Sequence, residues 1–158
     1  DIERDICQVA LVERHRGTGK IINGFVSGFG YKGKCAIAST VAHDSHHMLI
    51  VGTDQQNMAL AGNHLAKIGG GITVFKDGIE IATVPLKIAG LMSDSPAIIV
   101  AESANNMVFA MKECGCDINN GYMQHSLLAL VVIPELRISD LGLVDVEKFE
   151  LTELFDKI

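Results

Sequence analysis

Tryptophan is absent from this 158-residue sequence, proline occurs 3 times, and aromatic residues make up only 5%. Charge is also scarce, at 20% of residues against an average of about 25%. Lys and Arg number 13 against 19 Asp and Glu, a net charge of −6, so the chain lacks the basic patch or stripe of a nucleic-acid binder. It has no long apolar run. The longest, Leu127 to Ile133, stops at Pro134, whereas a membrane span needs about 20 such residues. The N-terminal string Asp-Ile-Glu-Arg-Asp carries no signal-peptide pattern and no initial Met, so the chain reads as processed or as a piece of something longer. No repeat, low-complexity stretch or Gly/Ser/Pro-rich linker divides it. Its length fits one domain of roughly 100–200 residues, here 1–158, and falls short of a (β/α)8 barrel at about 250.

Cysteine is limited to Cys7, Cys35, Cys114 and Cys116. Cys114-Gly-Cys116 has no second pair to complete a metal or redox site, and Cys114 falls at a helix end. The thiols read as reduced and buried, in a cytoplasmic protein. What the chain does have is apolar substance. Hydrophobic residues reach 48% and mean hydropathy is +0.29. That excludes disorder and leaves apolar surface for another domain or for a homo-oligomer contact.

Strand signals run over 7–14, 20–29, 35–42 and 48–52. A helix over 55–68 is capped by Asp54 and puts Met58, Ala61, Leu65 and Ile68 on one face. ITVFK and IEIATV form a hairpin through Asp77-Gly78. A second helix spans 96–114, with Ser95 as cap, Pro96 in the first position and Gly115 as a left-handed stop. Its buried face is Val100, Ala104, Met107, Met111 and Cys114. Leu127 to Ile133 reads as a fully buried strand, and the tail from Glu135 as short strands or turns. The order lacks regular βαβ alternation. It predicts an α+β fold, a mainly antiparallel sheet with two main helices in a single domain.

Gly28-Phe29-Gly30-Tyr31-Lys32-Gly33 matches G-x-G-x-x-G literally. A dinucleotide loop needs a helix opening at its end, and CAIASTVA is β-prone, so these read as turn glycines. The densest chemistry is His43-Asp44-Ser45-His46-His47, between two apolar runs. Three imidazoles and a carboxylate can relay protons, ligate a metal or hydrogen-bond a polar ligand. A plain polar turn, with Asp44 and Ser45 bonding local backbone, fits as well. Position at a sheet end favours a site. If the segment is extended, His43, Ser45 and His47 share one face, Asp44 and His46 the other, and one metal cannot take them all. His15 falls in a turn, His64 beside a helix stripe and His125 just before an apolar run. Glu135, after Pro134, is a carboxylate at a strand end.

The strings Glu13-Arg14-His15, Thr18-Gly19, Gly24-Phe25-Val26, Gly28-Phe29-Gly30, Ala36-Ile37-Ala38-Ser39 and His43-Asp44-Ser45-His46 occur in one order. Gly69–Gly71, Pro85 to Ser93, Val132 to Leu136 and Gly142 to Val146 follow them. Over nearly its whole length the chain resembles the C-terminal domain of the bacterial and archaeal adenine deaminases of the amidohydrolase superfamily. It departs from that pattern at His47, where the family carries Asn, and at Gly121-Tyr122, where it tends to Pro-Phe. The resemblance implies conversion of adenine and water to hypoxanthine and ammonia, with a divalent manganese or iron centre activating the water. It also implies that the metal ligands lie in a barrel domain partnering this one. Consistently, this chain contains no His-x-His, and no metal ligand is assigned to it. The expected contribution is His43, Asp44 and His46 lining the active site, with Ser45, His47 and Glu135 binding substrate. The alternative is a non-catalytic structural or oligomerisation module of that enzyme.

Overall fold

The computed structural model describes residues 1–155. The strand signals become β1 (Ile6–Val12), β2 (Ile21–Ser27), β3 (Cys35–Ser39), β4 (Met48–Gly52), β5 (Gly71–Lys76) and β6 (Ile79–Pro85). They form one sheet in the order β2-β1-β4-β3-β5-β6 with every neighbouring pair antiparallel. Every residue of β3 and of β4 is buried, which requires cover on both faces. On one face Val9, Leu11, Ile37, Leu49, Val51 and Val74 pack with Met107 and Met111 of α2 (Ala97–Glu113). On the other, Ala10, Ala36, Ala38, Ile50 and Phe75 lie beneath Met58, Ala61 and Leu65 of α1 (Gln55–Ile68). Small residues let α1 settle close. A Cβ on Gly52 would stand 2.6 Å from Met58 Cγ and 2.8 Å from Ala36 Cβ, leaving no room for a side chain.

The local signals mostly hold. The Asp54 side chain accepts from the Asn57 amide at 3.0 Å, and Asp77 and Gly78, both at positive φ, turn the β5–β6 hairpin. α2 differs at its start. Pro96 is the N-cap and no side chain caps the helix, while the Ser95 amide donates to Ser93 Oγ in the preceding turn. On its buried face Met107, Met111 and Cys114 are buried, while Val100 and Ala104 are partly so. Leu127 to Ile133 is not a strand. A short helix α3 (Gly121–Ser126) runs into a 3-10 turn (Leu127–Ala129), and Val131 to Ile133 are exposed. A short apolar run does not by itself distinguish strand from helix. The tail forms a second antiparallel sheet of β7 (Leu136–Ile138), β8 (Leu143–Asp145) and β9 (Glu150–Thr152). It lies against β2, where a Cβ on Gly24 would stand 3.3 Å from Leu143 Cδ2. The chain is thus α+β, with mostly antiparallel sheets. All four cysteines are free and buried. No helix among the described residues is long and apolar enough to cross a membrane.

The G-x-G-x-x-G glycines occupy turns at positive φ and lead into β3. The Gly28 and Gly30 amides donate to the Asp5 carboxylate at 2.8 and 2.9 Å. Donors that a phosphate would need are therefore already bound to this chain's own anion. Between those glycines, Phe29 and Tyr31 enter the core and meet His125, which is 1% exposed. His125 Nδ1 lies 2.7 Å from the Gly121 carbonyl, an acceptor, so Nδ1 carries the proton. Nε2 is then the acceptor, and the Tyr31 hydroxyl donates to it at 2.8 Å. Burial lowers the His125 pKa to about 4. An imidazole whose folded pKa is depressed supports the fold while neutral. That stability is complete above about pH 6.5 and declines as pH falls toward 4. In His125→Gln, urea unfolding followed across this window should lose much of that slope, with about 1–3 kcal/mol lower stability at pH 7 from the disturbed Tyr31 contact. An unaltered slope would mean His125 does not carry it.

Candidate functional site

At one end of the large sheet β1 runs out beside the start of β4, with Val12 opposite Met48. Glu13, Arg14 and His15 thereby face the His43–His47 segment. Glu13 is buried and its carboxylate closes the following turn. It accepts from the Thr18 amide and hydroxyl at 3.1 and 2.9 Å, from Arg16 N at 2.8 Å and from His15 N. These bonds, that from the Thr18 amide foremost, hold its pKa down to about 2. Arg14 donates from Nε to the His46 carbonyl at 2.6 Å and from Nη2 to the Ala89 carbonyl at 2.9 Å. The His15 ring donates from Nε2 to the Ser45 carbonyl at 2.6 Å.

Residues 43–45 form a turn rather than extended strand, which overturns the expected alternation. The His46 amide bonds back to the Ala42 carbonyl at 2.7 Å and His46 takes a left-handed conformation, φ 52°. His43 and His46 accordingly come to one side, ring centroids 5.4 Å apart and edge to face. Asp44 and Ser45 are exposed at the tip. His46 Nδ1 is buried and has no hydrogen-bond partner. Burial, then the neighbouring His43 and Arg14, lower the His46 pKa. His47 lies buried beneath the turn. Its Nδ1 accepts from the Arg14 amide at 3.4 Å, which leaves the Nε2 proton facing Asp140 Oδ1 at 3.7 Å. Burial lowers the His47 pKa although Asp140 and Glu13 oppose the shift.

The structure thus brings His43, Asp44, Ser45 and His46 together and sets His47 under them as support. Glu135 stands apart: it is exposed ahead of β7, and its carbonyl accepts from the Val146 amide. Asp140, beyond β7, brings a second carboxylate to His47, whose Nδ1 lies 3.9 Å from Glu13 Oε1. Nothing in the sequence near Asp140 marks it, because the approach depends on how the small sheet docks. Glu13 and Arg14 were visible as part of a motif, without an indication of role. Among the described residues no group of three or more His, Cys, Asp or Glu is placed to hold a metal ion.

Two antiparallel sheets with helical cover, and a histidine-rich turn braced from below, define an α+β domain with one polar end. The sequence matches the family model for the adenine deaminase C-terminal domain over residues 1–150, and the chain belongs to that family. It is 71% identical over 150 residues to the adenine deaminase of Paracoccus denitrificans (strain Pd 1222), covering 95% of this chain and 25% of that protein. Identity to adenine deaminase 3 of Rhizobium meliloti (strain 1021) is 64% over 154 residues, 98% of this chain and 26% of that protein. To the adenine deaminase of Moorella thermoacetica (strain ATCC 39073 / JCM 9320) it is 50% over 153 residues, 97% and 26%. The chain spans about a quarter of the length of the curated relatives it matches.

The depressed Glu13 carboxyl makes the turn that follows β1 acid-sensitive in a definite window. Its contribution is complete above about pH 4.5 and is lost as pH falls toward 2. Hydrogen exchange at the Arg16 and Thr18 amides should accelerate relative to core amides across that interval. In Glu13→Gln the acceleration should be absent, because those amides are already poorly protected at pH 4.5. Equal protection in both proteins throughout would contradict this account of the turn.

Proposed function

We propose that this chain is the C-terminal domain of a hydrolytic adenine deaminase and that its His43–His46 turn forms one edge of the purine site. The observation that carries the reading is the combination at that turn: polar side chains collected at an exposed tip, over a backbone fixed from beneath by Arg14 and His15. Adenine offers ring nitrogens as acceptors and an exocyclic amine as donor, and the departing ammonia needs a proton. The imidazoles of His43 and His46 can donate to ring nitrogens or pass a proton. Asp44 can accept from the exocyclic amine, and the Ser45 hydroxyl is available beside it. His47 supports the turn and Glu135 is outside it, so neither is given a substrate contact.

A divalent manganese or iron ion of the parent enzyme would activate the attacking water. An amidohydrolase barrel elsewhere in the full-length protein would hold that ion. Free cysteines suit a cytoplasmic enzyme. A second reading, a module for docking or homo-oligomerisation, is favoured by one feature: Ile88, Met92, Ile98 and Ile99 are all exposed.

Two measurements separate these readings. In the full-length enzyme, Asp44→Asn and His46→Ala should each lower kcat/KM at least tenfold, roughly 1.4 kcal/mol of transition-state stabilisation, with metal content retained. Unchanged kinetics with a lowered Tm would favour the docking module. The purified 158-residue chain, given adenine with manganese or iron, should release no ammonia above background. Metal-dependent turnover surviving further purification would show that the chain carries its own catalytic centre.

A further inference from the structure

We propose that Arg14 is a positioning residue of the purine site, a guanidinium brace that sets the His46 side chain by gripping its backbone. This rests on the reading of the turn given above. The geometry begins at the sheet. Thr40, 2% exposed, donates from its hydroxyl to the Gly90 carbonyl at 2.6 Å and accepts from the Gly71 amide at 2.8 Å. These bonds fasten the segment through Ala89 and Gly90 to the end of β5. Arg14 leaves the end of β1 and spans from that segment to the turn, with Nη2 on Ala89 O and Nε on His46 O. The next amide bond of the same residue, Arg14 N to His47 Nδ1, fixes the following side chain. Three separate strand ends are thereby joined through one residue.

No carboxylate lies within ion-pair distance of Arg14 among the described residues, and its bonds go to carbonyls instead. A guanidinium stays charged and offers donors in a fixed planar fork, so it can hold two carbonyls from different loops at a set separation. A lysine, with a point charge on a flexible stem, does not fix that angle. The grip matters because His46 occupies a left-handed backbone conformation, uncommon for a non-glycine residue and retained only when its surroundings enforce it. Releasing the His46 carbonyl frees the turn to relax, and the imidazole moves with it. The fit around the guanidinium is close. A Cβ on Gly90, itself at φ +73°, would stand 3.1 Å from both Arg14 Nη atoms and 3.0 Å from Thr40 Oγ1. Gly90→Ala therefore presses on the brace without removing it.

The test uses the full-length enzyme with its metal, and compares Arg14→Met, Arg14→Lys, Gly90→Ala, His46→Ala and the double variant Arg14→Met/His46→Ala. Kinetics are expressed per folded, metal-loaded molecule, with Tm measured alongside. Arg14→Met should lower kcat/KM about tenfold or more, with Arg14→Lys and Gly90→Ala intermediate. If Arg14 acts through His46, adding Arg14→Met to His46→Ala should cost less than threefold further, whereas independent effects would multiply. A structural role alone would lower Tm and leave kcat/KM per folded molecule unchanged, and that result would overturn the proposal. Full multiplication of the two losses would overturn it as well. Should Arg14→Met fail to fold, Arg14→Lys and Gly90→Ala carry the same comparison on the His46→Ala background. If His46→Ala itself leaves kcat/KM intact, the purine-site reading falls. If His46→Ala impairs and the Arg14 variants do not, the positioning role alone falls.

Discussion

The structure depends on closing both faces of one antiparallel sheet. With α1 on one side and α2 on the other, β3 and β4 have no solvent-facing side at all. Polar groups within those strands would be desolvated without partners, at a cost of roughly 1–3 kcal/mol each. Chemistry is therefore displaced to the strand ends, where backbone runs out of the ladder and side chains regain access to water. Ser39, Thr40, Glu13 and the His43–His47 turn all lie at the same end. The opposite end, with Gly52 packed on Met58, is finished by close contacts instead.

That constraint explains which parts of the fold were readable. Elements defined by local chemistry came through: Asp54 as cap, Asp77-Gly78 as the tight turn, and Met58, Ala61 and Leu65 as a helix face. Elements decided by tertiary context did not. Leu127 to Leu130 is as apolar as any strand here, yet it continues from α3, whose six residues are too few to show a helical period. Ser95 has the chemistry of a cap, but the helix begins one residue later, with Pro96 as N-cap and Ser95 in the turn closed on Ser93 Oγ.

The site divides along the same line. The cluster His43 to His47 was evident as a concentration of chemistry between two strands. Its internal arrangement was not, because strand alternation is the wrong rule for a turn that reverses on the Ala42 carbonyl. His43 and His46, assigned to opposite faces by that rule, are edge to face. Asp140 is the clearest case of a residue beyond reach of sequence. It approaches His47 only because the β7–β9 sheet folds back toward β2, a contact between segments nearly a hundred residues apart.

The side chains at the turn share an electrostatic character that follows from the same burial. His46 and His47 are both pushed toward the neutral form chiefly by desolvation, and Arg14 adds a positive charge that opposes protonating either. On the reading proposed here, another part of the enzyme covers this end of the sheet. Cover removes more water and pushes both imidazoles further in the direction they already lean. At the turn, His46 and His47 are then held toward the neutral form, ready to donate a hydrogen bond. Here the nearest buried carboxylate, Glu13, is committed to four hydrogen bonds of its own turn. Its negative charge is spent on backbone amides and a hydroxyl, so it does little to draw a proton onto His47, whose pKa stays depressed.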